Sequence, residues 1–93
     1  MIRVRFLRSF DHSFSALQEK ERNKARAAVS LLLNYFEGGP KPLGLGLRQL
    51  RKPYWEIRVS LGQRIVFALD GDLAIFVIVG RHDDVRRYLS HSA

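Results

Sequence analysis

The stretch from Tyr54 to Gly80 leaves a chain of this length little choice of architecture. Three apolar-rich runs, YWEIRVSL, QRIVFAL and LAIFVIV, are separated only by Gly62 and by a segment opening on Asp70-Gly71. In the first run Trp55, Ile57, Val59 and Leu61 fall on one side, and Tyr54, Glu56, Arg58 and Ser60 on the other, the two-residue period of a strand. The second run sets Ile65, Phe67 and Leu69 against Arg64, Val66 and Ala68. Asp-Gly between two such runs is a strong hairpin signal. The third run has no polar side, so it belongs in the middle of a sheet that is covered on both faces. The pattern predicts an antiparallel three-strand meander.

The N-terminal half supplies the cover. Ile2, Val4 and Phe6 alternate with Arg3, Arg5 and Arg8, which predicts a half-buried strand. Ala25, Ala28, Val29, Leu32, Leu33 and Phe36 recur at three- and four-residue steps, one apolar helix face destined for the core. Ser15 and Gln18 have capping-box spacing, so two helices or one bent helix are expected over roughly 13–37. Gly38, Gly39, Pro40 and Pro42 end that region. GLGLRQL reads as a short strand with its turn at Lys52-Pro53, and Asp83 or Asp84 can cap a last helix to about Leu89. The expectation is one α+β domain over 1–93, ordered β-α-α-β-β-β-α. Its meander sheet carries an N-terminal strand, with the helical hairpin packed on one face.

Charge narrows the partners. Sixteen lysines and arginines against nine acids give +7, an excess that attracts polyanions at long range: nucleic acid, an anionic membrane surface or an acidic protein partner. Arginine dominates, and its planar fork suits phosphate oxygens. Arg48, Arg51, Lys52, Arg58 and Arg64 crowd into one short stretch. The absence of cysteine excludes disulfide and thiolate chemistry. The opening MIRVRFLRSF lacks the continuous apolar core of a secretion signal, and the run Leu73–Val79 is too short to cross a bilayer. A cytoplasmic protein without membrane association is expected.

The end of the third run, VGRHDDVRRYL, places Arg81 and His82 just beyond Gly80, with Tyr88 near two helical turns later. Glu56, Arg58 and Arg64 belong to the polar side of the preceding strands. Such a set suits RNA cleavage: a 2′-hydroxyl loses a proton, the 5′-oxygen gains one, and fixed cations stabilise the phosphate. Histidine carries protons near neutral pH. A tyrosine can stack on a base. Each residue also has a plainer role. Histidines at strand ends are more often structural, Glu56 beside Arg58 reads equally as a surface pair, and Tyr88 suits partial burial. Adjacent His82, Asp83 and Asp84 are poorly spaced to share one metal, so no metal or cofactor is expected. The residues alone support a basic domain directed at nucleic acid, against the plainer reading of a solubility surface, and leave catalysis open.

The order of elements, together with QLRKPYWEIRVSLGQRIVFALDGDLAIFVIVGRHDDVRRY, resembles the RelE/ParE superfamily of toxins from bacterial type II toxin–antitoxin pairs, most closely over Leu47–Tyr88. The shared marks are the basic strand around Trp55-Glu56-Ile57-Arg58, the Arg64-Ile65-Val66-Phe67 strand, and the Gly80-Arg81-His82 ending. The resemblance implies the RelE-like branch, with YafQ- and YoeB-like features: a metal-independent, ribosome-dependent endoribonuclease that cleaves mRNA. It implies catalytic roles for His82, Arg64, Glu56, Arg58 and Tyr88, and RNA contacts by Arg48, Arg51, Lys52 and Arg81. It leaves acid and base unassigned between His82 and Glu56, which stands where RelE carries a lysine. The implied partners are a cognate acidic antitoxin, the ribosome with its mRNA, and operator DNA only through the antitoxin. The alternatives are a ParE-like inhibitor of DNA gyrase, or an inactive member that only binds its antitoxin. The short tail, Ser90–Ala93, offers little for either target.

Overall fold

The computed structural model of the protein describes residues 1–91. They form β1 (Arg3–Phe6), α1 (Arg8–Ser15), α2 (Glu19–Phe36), β2 (Arg48–Gln49), β3 (Tyr54–Ser60), β4 (Gln63–Asp70), β5 (Leu73–Gly80) and α3 (His82–His91). The meander is the expected one, β3–β4–β5, and its Asp70-Gly71 turn needs glycine because Gly71 has φ 60°. Flanking strands extend it to five, ordered β1-β5-β4-β3-β2. β1 runs parallel to β5, from Arg3 opposite Leu73 to Phe6 opposite Phe76, so the sheet is mixed. Among the described residues no helix is long and apolar enough to cross a membrane.

The helical hairpin covers one face. Phe10 of α1 and Ala25, Ala28 and Leu32 of α2 bury against Ile57, Ile65, Phe67, Ala74, Phe76 and Val79. The other face carries a smaller cluster, Val66, Val77 and Val85, flanked by Tyr54, Ile75, Tyr88 and Leu89. β5 is therefore covered on both sides, as its all-apolar run requires.

Several local readings are corrected. The helical region starts at Arg8 rather than near residue 13, and α1 ends at Ser15 instead of a helix beginning there. The Ser15 hydroxyl donates to its own helix at His12 O (2.9 Å), and the residue before α2 is Gln18, whose backbone N–H donates to Glu21 Oε1 (3.3 Å). β1 is an edge strand with all four residues exposed, not half-buried. Phe6 stacks on Phe76 at 5.1 Å yet remains 44 % exposed. GLGLRQL contributes only two strand residues. Gly46, at φ 65°, lies so close to β3 that a Cβ there would meet Arg58 Cβ at 3.1 Å. Leu61, placed inward by alternation, is 99 % exposed because pairing slips between Arg58 and Ser60 at the turn.

A second bulge lies in β5, where Val66 pairs Ile78 but Phe67 pairs Phe76, leaving Val77 over. The serines of α1 meet the disturbed backbone. Ser9 Oγ donates to Val77 O (2.6 Å), and Ser13 Oγ accepts from Val79 N (3.1 Å). α3 runs two residues beyond the expected end at Leu89. It starts at His82, so Asp83 and Asp84 lie inside its first turn rather than at its cap, and Asp84 Oδ2 accepts the N–H of Arg81, the residue before the helix, at 2.9 Å. Ser92 and Ala93 of the short tail lie outside the described residues.

Candidate active site

α3 covers only part of its face of the sheet, and the charged residues of β3 and β4 occupy the remainder. Register builds the site. Arg58 of β3 lies opposite Arg64 of β4, which lies opposite Gly80 of β5. The three positions form one row across adjacent strands, and the chain continues from Gly80 through Arg81 to His82. Gly80 is needed there because a Cβ would approach Asp84 Cβ to 2.8 Å. That clearance lets α3 begin at His82, which is exposed.

Glu56 lies two residues before Arg58 and shares its face. It is only 5 % exposed, a costly place for a carboxylate without partners. Its Oε2 accepts from two guanidiniums, Arg64 Nη1 at 2.8 Å and Arg48 Nη2 at 3.0 Å. Arg48 reaches it because β2 pairs with β3 at Arg48–Glu56. The surface pair with Arg58 read from the sequence is thus replaced by pairs to the two neighbouring strands. Charge-assisted bonds of this kind fix a guanidinium's direction. Three arginines around one carboxylate leave a local formal charge of +2.

The other candidates lie apart from this cluster. Arg81 and Tyr88 line a groove of about 450 Å³ between α1 and α3, together with Gln63 and Arg87. The Tyr88 ring meets Tyr54 edge to face at 6.4 Å. Arg51 donates to Leu89 O (2.7 Å) and so ties the turn before β3 to α3. Lys52 is exposed in that turn. Glu56, Arg64, Arg48 and Arg58 are therefore one neighbourhood, while Arg81 and Tyr88 form a second beside the same helix.

One polar residue of this region carries no mark in the sequence. Gln63 is 6 % exposed, and its Nε2 donates to Glu21 Oε2 at 3.1 Å, binding the start of β4 to α2. The only available signal, a polar residue after the Gly62 turn, is what any exposed turn shows. Among the described residues no group of three or more histidines, aspartates or glutamates is arranged to hold a metal ion. Chemically, the arginine cluster presents oriented cations to an anion, with a histidine a short step beyond the same row.

No family model matches the chain, and no curated protein matches it by sequence. Solved structures do. The DinJ–YafQ complex of E. coli contains a chain similar to this one with TM-score 0.77 and 20 % identity, covering 91 % of this chain and 98 % of that one. The RelB–RelE antitoxin–toxin complex of Methanococcus jannaschii gives TM-score 0.67 at 17 % identity over 90 % and 96 % of the two chains. The YoeB dimer of Staphylococcus aureus gives 0.66 at 14 % identity over 87 % and 97 %. At such identities the likeness is one of architecture: this α+β chain has the RelE-like toxin fold.

Proposed function

We propose that the chain is the toxin of a toxin–antitoxin pair and a ribosome-dependent endoribonuclease acting on mRNA without a metal. The observation that carries the reading is the Arg64 guanidinium, held by buried Glu56 in a strand row that ends two residues before an exposed histidine. An inhibitor that works by occupying another protein has no need of a proton carrier beside fixed cations.

In this reading the 2′-hydroxyl attacks the adjacent phosphorus. The P–O2′ bond forms, the P–O5′ bond breaks, and the proton leaving the 2′-oxygen is balanced by one delivered to the 5′-oxygen. The products are a 2′,3′-cyclic phosphate and a 5′-hydroxyl. His82 is the proton-transfer group. Arg58 and Arg64 stabilise the phosphate oxygens as charge builds there. Glu56 works through Arg64, as the residue that orients it. Arg81 and Tyr88, in the neighbouring groove, hold the flanking RNA, while Arg48, Arg51 and Lys52 extend the basic surface along the strand edge. The partners are the ribosome with its mRNA and an acidic antitoxin, through which operator DNA is reached. Antitoxin complexes among the similar structures, RelB with RelE in particular, support that pairing.

The test is primer extension on translating ribosomes, run beside a gyrase supercoiling assay. His82→Ala is expected to lower cleavage by about 10²–10⁴-fold with the fold intact. Arg64→Ala is expected to lower it by about 10²–10³-fold without changing the shape of the pH profile, since charge stabilisation is lost and proton transfer is not. Unchanged cleavage by His82→Ala removes that residue from the chemistry. Gyrase inhibition without RNA cleavage by the wild type replaces the nuclease with the gyrase inhibitor.

A further inference from the structure

Among the described residues one buried side-chain atom lacks a hydrogen-bond partner, Gln63 Oε1. Gln63 is 6 % exposed, so its carbonyl bears the cost of burial without compensation. The orientation of the amide is fixed. Its Nε2 meets Glu21 Oε2 at 3.1 Å, and a carboxylate only accepts, so the oxygen is the end left over. Glu21 is held in turn by the Gln18 N–H, which donates to its Oε1 at 3.3 Å. Gln63 lines the groove of about 450 Å³ between α1 and α3, the size of a small-ligand pocket. Leu17, Ile78 and Val79 give the groove apolar walls, and Arg81 and Arg87 bring cations to it. Its other short polar side chains are engaged. Ser13 Oγ accepts from Val79 N and donates to Phe10 O, and the Asp84 carboxylate accepts from Arg81 N and Arg87 Nη1.

We propose that Gln63 selects the base of an RNA strand bound in this groove. Its Oε1 accepts from an exocyclic amine, adenine N6 or cytosine N4, and disfavours guanine and uracil, which carry a carbonyl oxygen at the same ring position. The inference rests on the RNA-directed reading above and adds a specificity-determining residue to it. The groove matches the parts of a nucleotide. Its apolar walls take the ring, the arginines take the flanking phosphates, and the orphan carbonyl takes a donor. Discrimination follows from burial. An amine supplies the missing bond, whereas a keto edge sets acceptor against acceptor and leaves both unpaired. Glu21 keeps the amide from turning over, since reversal would set Oε1 against a carboxylate. The preference for amino over keto bases is thereby fixed from the first turn of α2.

The experiment titrates the isolated wild type with trinucleotides whose 2′-oxygens are methylated, so that none can attack phosphorus, and follows binding by NMR. The central base is adenine, cytosine, uracil or unsubstituted purine, which is adenine without its amine. Adenine is expected to bind about 10-fold more tightly than purine, with cytosine above uracil, and the Gln63 side-chain amide signals are expected to shift with the amino bases alone. Gln63→Met keeps the length of the side chain and is expected to bind adenine and purine alike, its fold checked by circular dichroism. The adenine–purine comparison on the wild type needs no variant, so it decides the matter even if Gln63→Met does not fold. Equal binding of the two by the wild type overturns the assignment, as does a preference that survives Gln63→Met. The same two bases, placed in turn at each codon position on translating ribosomes, extend the test to cleavage. Cleavage that ignores the amine at every position overturns the assignment and leaves the nuclease reading standing. Binding that favours the amine without any cleavage keeps the base site and overturns the nuclease reading instead.

Discussion

The two faces of the sheet are built from the same strands and do opposite work. Under α1 and α2, Ile57, Ile65, Phe67 and Phe76 are fully buried among aromatic neighbours, with Phe67 and Phe76 at 5.7 Å. Under α3, the buried set is three valines, and the strands then run out into Glu56, Arg58 and Arg64. The first face concentrates apolar area, so it carries the stability of a small domain with a narrow margin. The second exchanges core for charge, and its one buried carboxylate is tolerated because two arginines compensate it. Each alternating strand has one side for folding and one for the candidate site.

Matched truncations on the two faces test that division most severely. Phe76→Ala is expected to cost about 3–5 kcal/mol, enough to leave much of the protein unfolded. Val85→Ala removes two methyl groups and is expected to cost about 1–2 kcal/mol, loosening α3 while the sheet and hairpin persist. Chemical denaturation gives both numbers, and equal losses would show that the α3 face shares the main core.

A smaller effect sharpens the role of the charged face. Glu56→Gln retains an acceptor but loses the charge that both arginines share, and the more exposed ends of those pairs lie in water. The expected loss is about 1–2 kcal/mol, seen as a lower melting temperature. Cleavage should fall with the pH profile unshifted, because Glu56 orients a cation in the proposed reaction and moves no proton. A profile that changes shape in Glu56→Gln would return this carboxylate to proton transfer.

The smallest effect lies at the far edge, where Arg3 Nη2 meets Asp72 Oδ1 at 2.9 Å with both side chains more than half exposed. The hydrogen bond from Arg3 lowers the Asp72 carboxyl below its ordinary value of 3.8, and the same bond raises Arg3. A lowered carboxylate contributes stability above its unfolded value and loses it as pH falls through the folded value, here in the acid range below 3.8. Asp72→Asn should therefore be slightly less stable than the wild type at pH 7 and converge with it in strong acid. High salt should shrink the difference at pH 7. A gap that persists in acid or salt would mean that packing, not charge, holds β1 to the sheet.

Much of the fold was legible because its signals are local. Alternation marked β3 and β4, Asp70-Gly71 marked their hairpin partner, and an apolar run without a polar side placed β5 in the middle. The three- and four-residue recurrence from Ala25 to Phe36 marked the buried face of α2. Where the sequence failed, the deciding neighbour was distant or the pattern was blind. Ser15 and Gln18 have capping-box spacing, yet Ser15 closes α1 and Gln18 is the residue before α2. The Val77 bulge lies in a run that is apolar at every position, so shifting it by one residue leaves no trace. Leu61 follows the alternation and is turned outward by a slip at the hairpin. β1 shows the half-buried pattern, yet its apolar side is left open because α2 packs over β3 rather than over that edge.

The candidate site divides the same way. Residue types pointed to Glu56, Arg58, Arg64 and His82, since phosphate chemistry calls for cations beside a proton carrier. Partnership did not follow from proximity along the chain. Arg58 is two residues from Glu56, whereas Arg48 and Arg64 lie eight residues away on either side. The distant pair holds the carboxylate because β2 and β4 flank β3, and strand register sets Arg48 beside Glu56 and Arg64 one diagonal step away. Charge and chemistry are properties of the residues, but which cation meets which anion is set by hydrogen-bonded register between strands, a tertiary quantity that no local pattern encodes.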